Sequence, residues 1–205
     1  MNRLTANLNP TVVFESYWKF AAERQRIYEN RLNGNPQPWT NDPILAAHKF
    51  TNVFRAADRV SQYCIKPVIY GDGNSMEPEE VVFRVLLFKL FNSIPAWESL
   101  TTALGPLTWK TFDALIYGDI LGKAKAQGVK IWNAAYMQKP QYREDIAGKH
   151  NRYLALLEHL MSSAVTDKLL AAKTYEQAYL VLRTYPLLGD FTAMQLLTDI
   201  NYSPV

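Results

Sequence analysis

Apolar positions recur along this chain with helical spacing, and Pro, Gly, Asn and short capping residues punctuate them. Asn9-Pro10 opens a first predicted helix to about Arg31, stopped by Asn33-Gly34. Residues 35–41 (NPQPWTN) form a loop with two prolines. Asp42-Pro43 reads as an N-cap and first-turn pair, starting a helix through about Tyr63. The stretch 66–76 holds Pro67, Gly71 and Gly73 and reads as the longest irregular segment. Pro78-Glu79-Glu80 places acids in the first turn of an apolar helix over 81–92. Ser93 caps a short helix around Trp97, and 108–126 continues the pattern up to Gly128. Residues 129–137 fit helix or strand, 138–148 a polar loop, and 149–163 a helix with a Leu154, Leu157, Met161 stripe. Thr174-x-x-Gln177 resembles a capping box for the last helix but one. No alternating series of useful length and no internal repeat occurs. The expectation is an all-α chain: a single helical domain over 1–205, divisible into lobes 1–130 and 131–205 around a cleft.

The segment 185–193 (YPLLGDFTA) sits between two helical patterns. A turn of this kind needs a residue free to take positive φ, and Gly189 is expected to supply it. The second helix then directs unpaired N–H groups and its positive dipole end outward, where a DNA phosphate is a natural ligand. The pattern over 174–201 resembles the helix-hairpin-helix of DNA glycosylases, whose core reads Leu-Pro-Gly-Val-Gly-x-x-Thr-Ala. Pro186, Leu188, Gly189, Thr192 and Ala193 match it, with Leu187 in place of the first glycine. The resemblance makes Leu188, Gly189, Phe191 and Thr192 the DNA-binding candidates. Asp190 would cap the helix N-terminus while its charge opposes a phosphate. The alternative is an ordinary αα-hairpin closed by Pro and Gly.

Two polar signals lie upstream. Asn52, Arg55, Arg59 and Gln62 follow 3-4-3 spacing, which on one helix shares a face, with Asp58 beside Arg55. The row is either a solvated face with an Arg–Asp pair or the lining of a cleft. Arg84 sits in a helix apolar nearly all round, so burial demands a partner, with Asp58, Glu80 or Glu98 as candidates. It is either half of a core ion pair or a rigid arginine aimed at phosphate or a base edge.

Composition narrows the chemistry. Of 205 residues 48% are apolar and 20% charged, enough for a core, and the net charge of +3 tolerates a polyanion. Cys64 stands alone, so neither an internal disulfide nor a Cys-rich metal site is expected. His48, His150 and His159 have no ligand-like spacing, and no metal or cofactor is expected. No apolar run approaches the roughly 20 residues of a membrane span, and the first ten residues lack the apolar core of a signal peptide. The expectation is a cytoplasmic protein without a membrane partner. Gly71–Ser75 reads as a surface turn rather than a phosphate cradle. Trp109, Tyr117, Trp132 and Tyr136 read as core rather than base-stacking rings.

Residues 50–63 (FTNVFRAADRVSQY), 79–92 (EEVVFRVLLFKLFN), Trp97-Glu98 and 189–202 (GDFTAMQLLTDINY) together resemble a helical family of phage and bacterial DNA-base hypermodification systems. It includes the 5-hydroxymethyluracil DNA kinase helical domain and the α-glutamyl/putrescinyl thymine pyrophosphorylases, and is related to helix-hairpin-helix glycosylases. The resemblance covers about residues 40–202. It implies action on a C5-substituted pyrimidine in DNA of the modified phage type, with a partner enzyme such as a DNA kinase if the chain is not self-sufficient. It also implies that Asn52, Arg55, Asp58, Arg59, Gln62, Arg84, Asn92, Asp190, Gln195 and Asp199 occupy the family's polar positions. The reading adopted from these residues is a glycosylase that flips the modified base and cleaves its N-glycosidic bond. Asp58 and Asp199, with Arg55, Arg59 and Arg84, are its catalytic candidates; Asn52, Gln62, Asn92 and Gln195 would contact base or phosphate. The alternatives are a transferase that replaces an activated 5-methyl substituent with an amine, and a non-catalytic reader of modified DNA. No Gly-x-x-x-x-Gly-Lys-Ser/Thr motif is present, so the chain is not itself a P-loop kinase.

Overall fold

The computed structural model describes residues 10–133 and 142–205; expectations for 134–141, Tyr136 included, fall outside it. The described residues form ten α-helices joined by short 3₁₀ and π turns, with no strand among them. None of these helices is long and apolar enough to cross a membrane. Two compact units divide after Asp58, and the boundary expected near residue 130 lies inside the second.

In the first unit, α1 (Phe14–Leu32) starts four residues later than Pro10 and stops at Asn33 as its sequence predicts. After the loop, α2 (Pro43–Ala47) is capped by Asp42, whose Oδ1 accepts from Ile44 N (2.8 Å) and Leu45 N (3.0 Å). The helix expected to reach Tyr63 ends here. His48 is extended, and the next ordered turn is a 3₁₀ segment, Arg55–Ala57, closed by an extended Asp58. The cause is tertiary. The Phe50 carbonyl, which a continuing helix would direct along its own axis, accepts from the Arg24 guanidinium (3.3 and 3.4 Å), and the Phe50 ring packs edge-on against Phe20.

The second unit opens with α3 (Arg59–Tyr63), which runs into a π-helical turn, Cys64–Ile69, containing Pro67. Proline has no N–H to donate, and the wider turn closes instead through Tyr70 N to Ile65 O (3.0 Å). Part of the stretch expected to be irregular is therefore helical. The turn after it is clamped: Asn74 Nδ2 donates to Pro67 O (3.0 Å) and Val68 O (3.1 Å).

The core is built around α4 (Pro78–Phe91), in which every residue from Glu80 to Phe91 is buried. It packs against α5 (Ile94–Leu104), α7 (Lys149–Ser162), α8 (Val165–Ala171) and α10 (Asp190–Ile200), as well as the π turn and the 3₁₀ turn Trp109–Thr111. Ser93 caps α5 as expected, accepting from Ala96 N (3.3 Å). The single helix expected over 108–126 is two elements. Thr108 caps the 3₁₀ turn, and Asp113 caps α6 (Ala114–Ala126) by accepting from Leu115 N and Ile116 N. Residues 129–133 are neither helix nor strand. The helix expected over 149–163 ends at Ser162, and Ala164, at φ 54°, separates it from α8, a helix that the sequence pattern did not mark. Thr174 caps α9 (Tyr175–Arg183) by accepting from Gln177 N (3.1 Å), while Gln177 Oε1 reaches back to Lys173 N (2.7 Å), one residue beyond the reciprocal capping-box bond. Trp109 stacks on Phe112, and Tyr117 is fully buried, both as core rings.

A Cβ on Gly71 would collide with the backbone carbonyl of Pro67. Gly71→Ala is therefore expected to destabilise the protein by roughly 1–3 kcal/mol, read as a lower denaturation midpoint at unchanged slope; an unchanged midpoint would show that the clamped turn is free to relax.

Candidate functional site

The five residues 52, 55, 58, 59 and 62 do not share a helical face, because the backbone is a 3₁₀ turn, an extended residue and a short helix in succession. Asn52, Arg55 and Asp58 belong to the first unit, Arg59 and Gln62 to the second. Asn52 braces its unit from both ends of its amide: Oδ1 accepts from Arg24 Nη2 (2.5 Å) and Nδ2 donates to Ala57 O (2.8 Å). It thereby fixes an arginine that was not singled out from the sequence. Asp58 and Arg59 are exposed; Arg55 and Gln62 are half-buried.

Arg84 is 1% exposed. Its Nε donates to Val68 O (2.9 Å) and its Nη2 to Ser75 O (2.6 Å), so it staples the π turn and the following loop to α4. Of the three carboxylates expected to answer it, Glu80 does so electrostatically. Burial pulls the guanidinium below its ordinary pKa and Glu80 opposes that shift. Glu80 itself accepts from Trp109 N (2.7 Å), and Glu98 is the acceptor of Tyr63 Oη (3.4 Å).

Asn92 and Asp199 come together through a third residue, Lys89. Its Nζ lies 3.2 Å from Asp199 Oδ2 and donates to Asn92 Oδ1 (2.8 Å). Asp199 is wholly inaccessible, and Lys89 and Asn92 are buried. Asn92 takes the left-handed conformation (φ 47°) that ends α4, one of the few non-glycine types suited to it. Lys89 was legible as a lysine in a helix with no polar face, but nothing local indicated which carboxylate it would meet. Buried together, the amine and the carboxylate hold α10 against α4.

The hairpin joins α9 to α10 through residues 184–189. The left-handed residue in it is Leu187 (φ 64°), not Gly189, which is extended at φ −65°, ψ 176° and serves as the N-cap of α10. The leucine carries a backbone strain of about 1–2 kcal/mol, offset by packing of its side chain against the core. Asp190 is the first residue of α10 and makes no cap; its Oδ1 is 2.7 Å from Arg183 Nε and accepts from Tyr179 Oη (2.8 Å). That bond raises the pKa of the Tyr179 hydroxyl. Arg183 also donates through Nη1 to Leu188 O (2.9 Å), so the charge expected to oppose a phosphate is offset by a guanidinium on the same turn. Leu188 and Thr192 are buried, Gln195 is half-buried, and Gly189 and the Phe191 ring face solvent.

Two measurements test these assignments. A Cβ on Gly189 meets nothing within 4 Å, and its dihedrals suit any residue. Gly189→Ser, whose hydroxyl can accept from the open N–H groups of the first turn of α10, is expected to raise stability by about 0.5–1 kcal/mol; a drop in melting temperature would contradict the N-cap geometry. Lys89→Met alone is expected to cost roughly 3–5 kcal/mol, and Lys89→Met with Asp199→Val to recover most of that loss. Additive losses in the double variant would mean that the two charges are not coupled.

The family described as "5-hmdU DNA kinase, helical domain" matches residues 11–205. A protein named 5-hmdU DNA kinase from Bacillus phage SP10 is 30% identical over 103 residues, 49% of this chain and 16% of that protein. The chain thus spans about one sixth of the length of the curated relative that it matches. No solved structure matches it significantly. The family match runs through every helix of both compact units, and the chain belongs to the 5-hmdU DNA kinase helical-domain family.

Proposed function

We propose that this chain binds DNA carrying a 5-hydroxymethylated pyrimidine and presents the modified base for hypermodification, with the α9–α10 hairpin as the grip on the backbone. The observation that carries the proposal is the family match over residues 11–205, whose description joins a helical domain to a kinase of 5-hmdU DNA. The hairpin supports it. Five of its residues fit the DNA-gripping pattern, the Asp190 charge is offset by Arg183, and the exposed Gly189 leaves the start of α10 open to a phosphate. This chain has no P-loop, so a phosphorylation step would come from a kinase working with it.

Presentation is preferred to bond cleavage on one further ground. Glycosidic hydrolysis needs a carboxylate beside the sugar as positive charge develops. Asp199 is sealed against Lys89, and Arg84 is committed to the carbonyls of Val68 and Ser75. A glycosylase, with its relationship to the helix-hairpin-helix enzymes, would then rest on Asp58, and a pyrophosphate-releasing transferase on Arg55 and Arg59.

The test is a gel shift of the full chain on duplexes with 5-hydroxymethyluracil or thymine at one site, repeated over a salt series. Tighter binding of the modified duplex is expected, weakening with salt by a slope of about 0.9 per phosphate contacted. Gly189→Val is expected to weaken binding with the helical circular dichroism unchanged. Equal failure to bind either duplex would overturn the proposal. Alkali-labile abasic sites would replace it by hydrolysis, and pyrophosphate release with an amine donor by transfer.

A further inference from the structure

The first compact unit contains a cavity of about 390 Å3 that no expected site residue lines. Its volume falls in the range of small-molecule sites, about 300–1000 Å3. Four basic side chains border it, Arg24, Arg31, His48 and Lys49, together with the aromatic rings of Trp39 and Phe50. No carboxylate is among its lining residues.

Three of its walls, Arg24, Trp39 and Phe50, are held in place. Arg24 and Arg31 are seven residues apart on α1, two turns along one face. Arg24 is fixed by Phe50 O and Asn52 Oδ1. The Trp39 indole is held by its N–H donating to Asn35 O (2.7 Å), and Asn30 Nδ2 donates to Trp39 O (3.3 Å). The Phe50 ring is set by its edge-on contact with Phe20. The nearest acids of α1 are engaged elsewhere: Glu23 with Arg26 and Thr40, Glu29 with Gln25. Arg24 is partly desolvated and repelled by Arg31, and both effects lower its pKa. Concentrated positive charge without a counter-charge, beside rings held in place, is the complement of an anion that carries a flat ring.

We propose that this cavity binds a single pyrimidine nucleotide, its phosphate against Arg24, Arg31, His48 and Lys49 and its ring against Trp39 and Phe50. The inference rests on the DNA-binding reading for its setting, a nucleotide extruded from the strand. The pocket itself is defined within the first unit alone.

The test uses the full chain and thymidine monophosphate, followed by tryptophan fluorescence. Quenching on titration is expected, and Trp39→Phe is expected to remove most of it despite the four other tryptophans. Arg31→Ala with Lys49→Ala, both exposed positions, is expected to weaken binding by about tenfold or more with the fold retained, the scale of two lost charge-assisted contacts. Thymidine without phosphate is expected to bind more weakly by a similar factor. Inorganic phosphate competing as well as the nucleotide, unchanged affinity in the double variant, or no binding by the wild-type chain would each overturn the inference. The two readings fail separately. Nucleotide binding without a shift of modified duplexes retires DNA presentation and leaves the pocket, whereas a wild-type duplex shift without nucleotide binding does the reverse. A single-stranded oligonucleotide that displaces the nucleotide identifies DNA as its source.

Discussion

The contact on which the second unit turns is the buried pair of Lys89 on α4 and Asp199 on α10. Two charges removed from water are costly, and their attraction offsets that cost only when the geometry is close and the remaining hydrogen-bonding capacity is used. Asn92 supplies the second acceptor for the lysine, and its left-handed conformation sets the exit of α4 toward α5. Because α10 is the second helix of the hairpin, one ion pair and one amide settle where the hairpin stands against the core. An apolar contact of equal area would tolerate sliding; a buried charge pair has one register at which it is satisfied.

The same logic repeats along α4. Its burial on all sides leaves three polar side chains, Glu80, Arg84 and Lys89, almost wholly out of water, and each is answered from a different part of the second unit. Glu80 is met by Trp109 N, Arg84 by the carbonyls of Val68 and Ser75, and Lys89 by Asp199. The π turn owes its place to this arrangement. It presents the Val68 carbonyl to Arg84 while Asn74 closes the loop behind it, and Gly71 permits the close approach. Polar residues in the core therefore act here as positional pins: Arg84 is engaged with main-chain carbonyls, and Asn92 and Asp199 with the Lys89 amine.

What remains accessible is of a different kind. On the hairpin these are Gly189, Phe191 and the Arg183–Asp190 pair; in the first unit, Asp58 and a basic cavity walled by rings; and at the start of the second, Arg59. The Arg183–Asp190 pair of the hairpin and Arg24, Trp39 and Phe50 of the cavity are held by main-chain bonds or ring packing, so these groups need little ordering when a ligand arrives, which lowers the entropic cost of binding.

Much of this was legible in the linear sequence, because it depends on interactions a few residues long. Helix periodicity, the caps at Asp42, Ser93 and Thr174, the stop at Asn33-Gly34, the buried character of α4 and the hairpin at 184–189 all follow from local chemistry. The family resemblance was carried by residues that recur as a pattern whatever their contacts. Three things were decided only by tertiary structure. The helix after Asp42 breaks because Arg24, 26 residues earlier, bonds the Phe50 carbonyl. Leu187 rather than Gly189 takes the left-handed position, with its half-buried side chain packed against the core, a placement that local propensity counts against. Lys89 finds Asp199 across 110 residues, a pairing that no spacing rule encodes. Local hydrogen bonding and periodicity determined which elements form. Charge desolvation and carbonyl competition between distant segments determined where they end and which polar groups are left for a ligand.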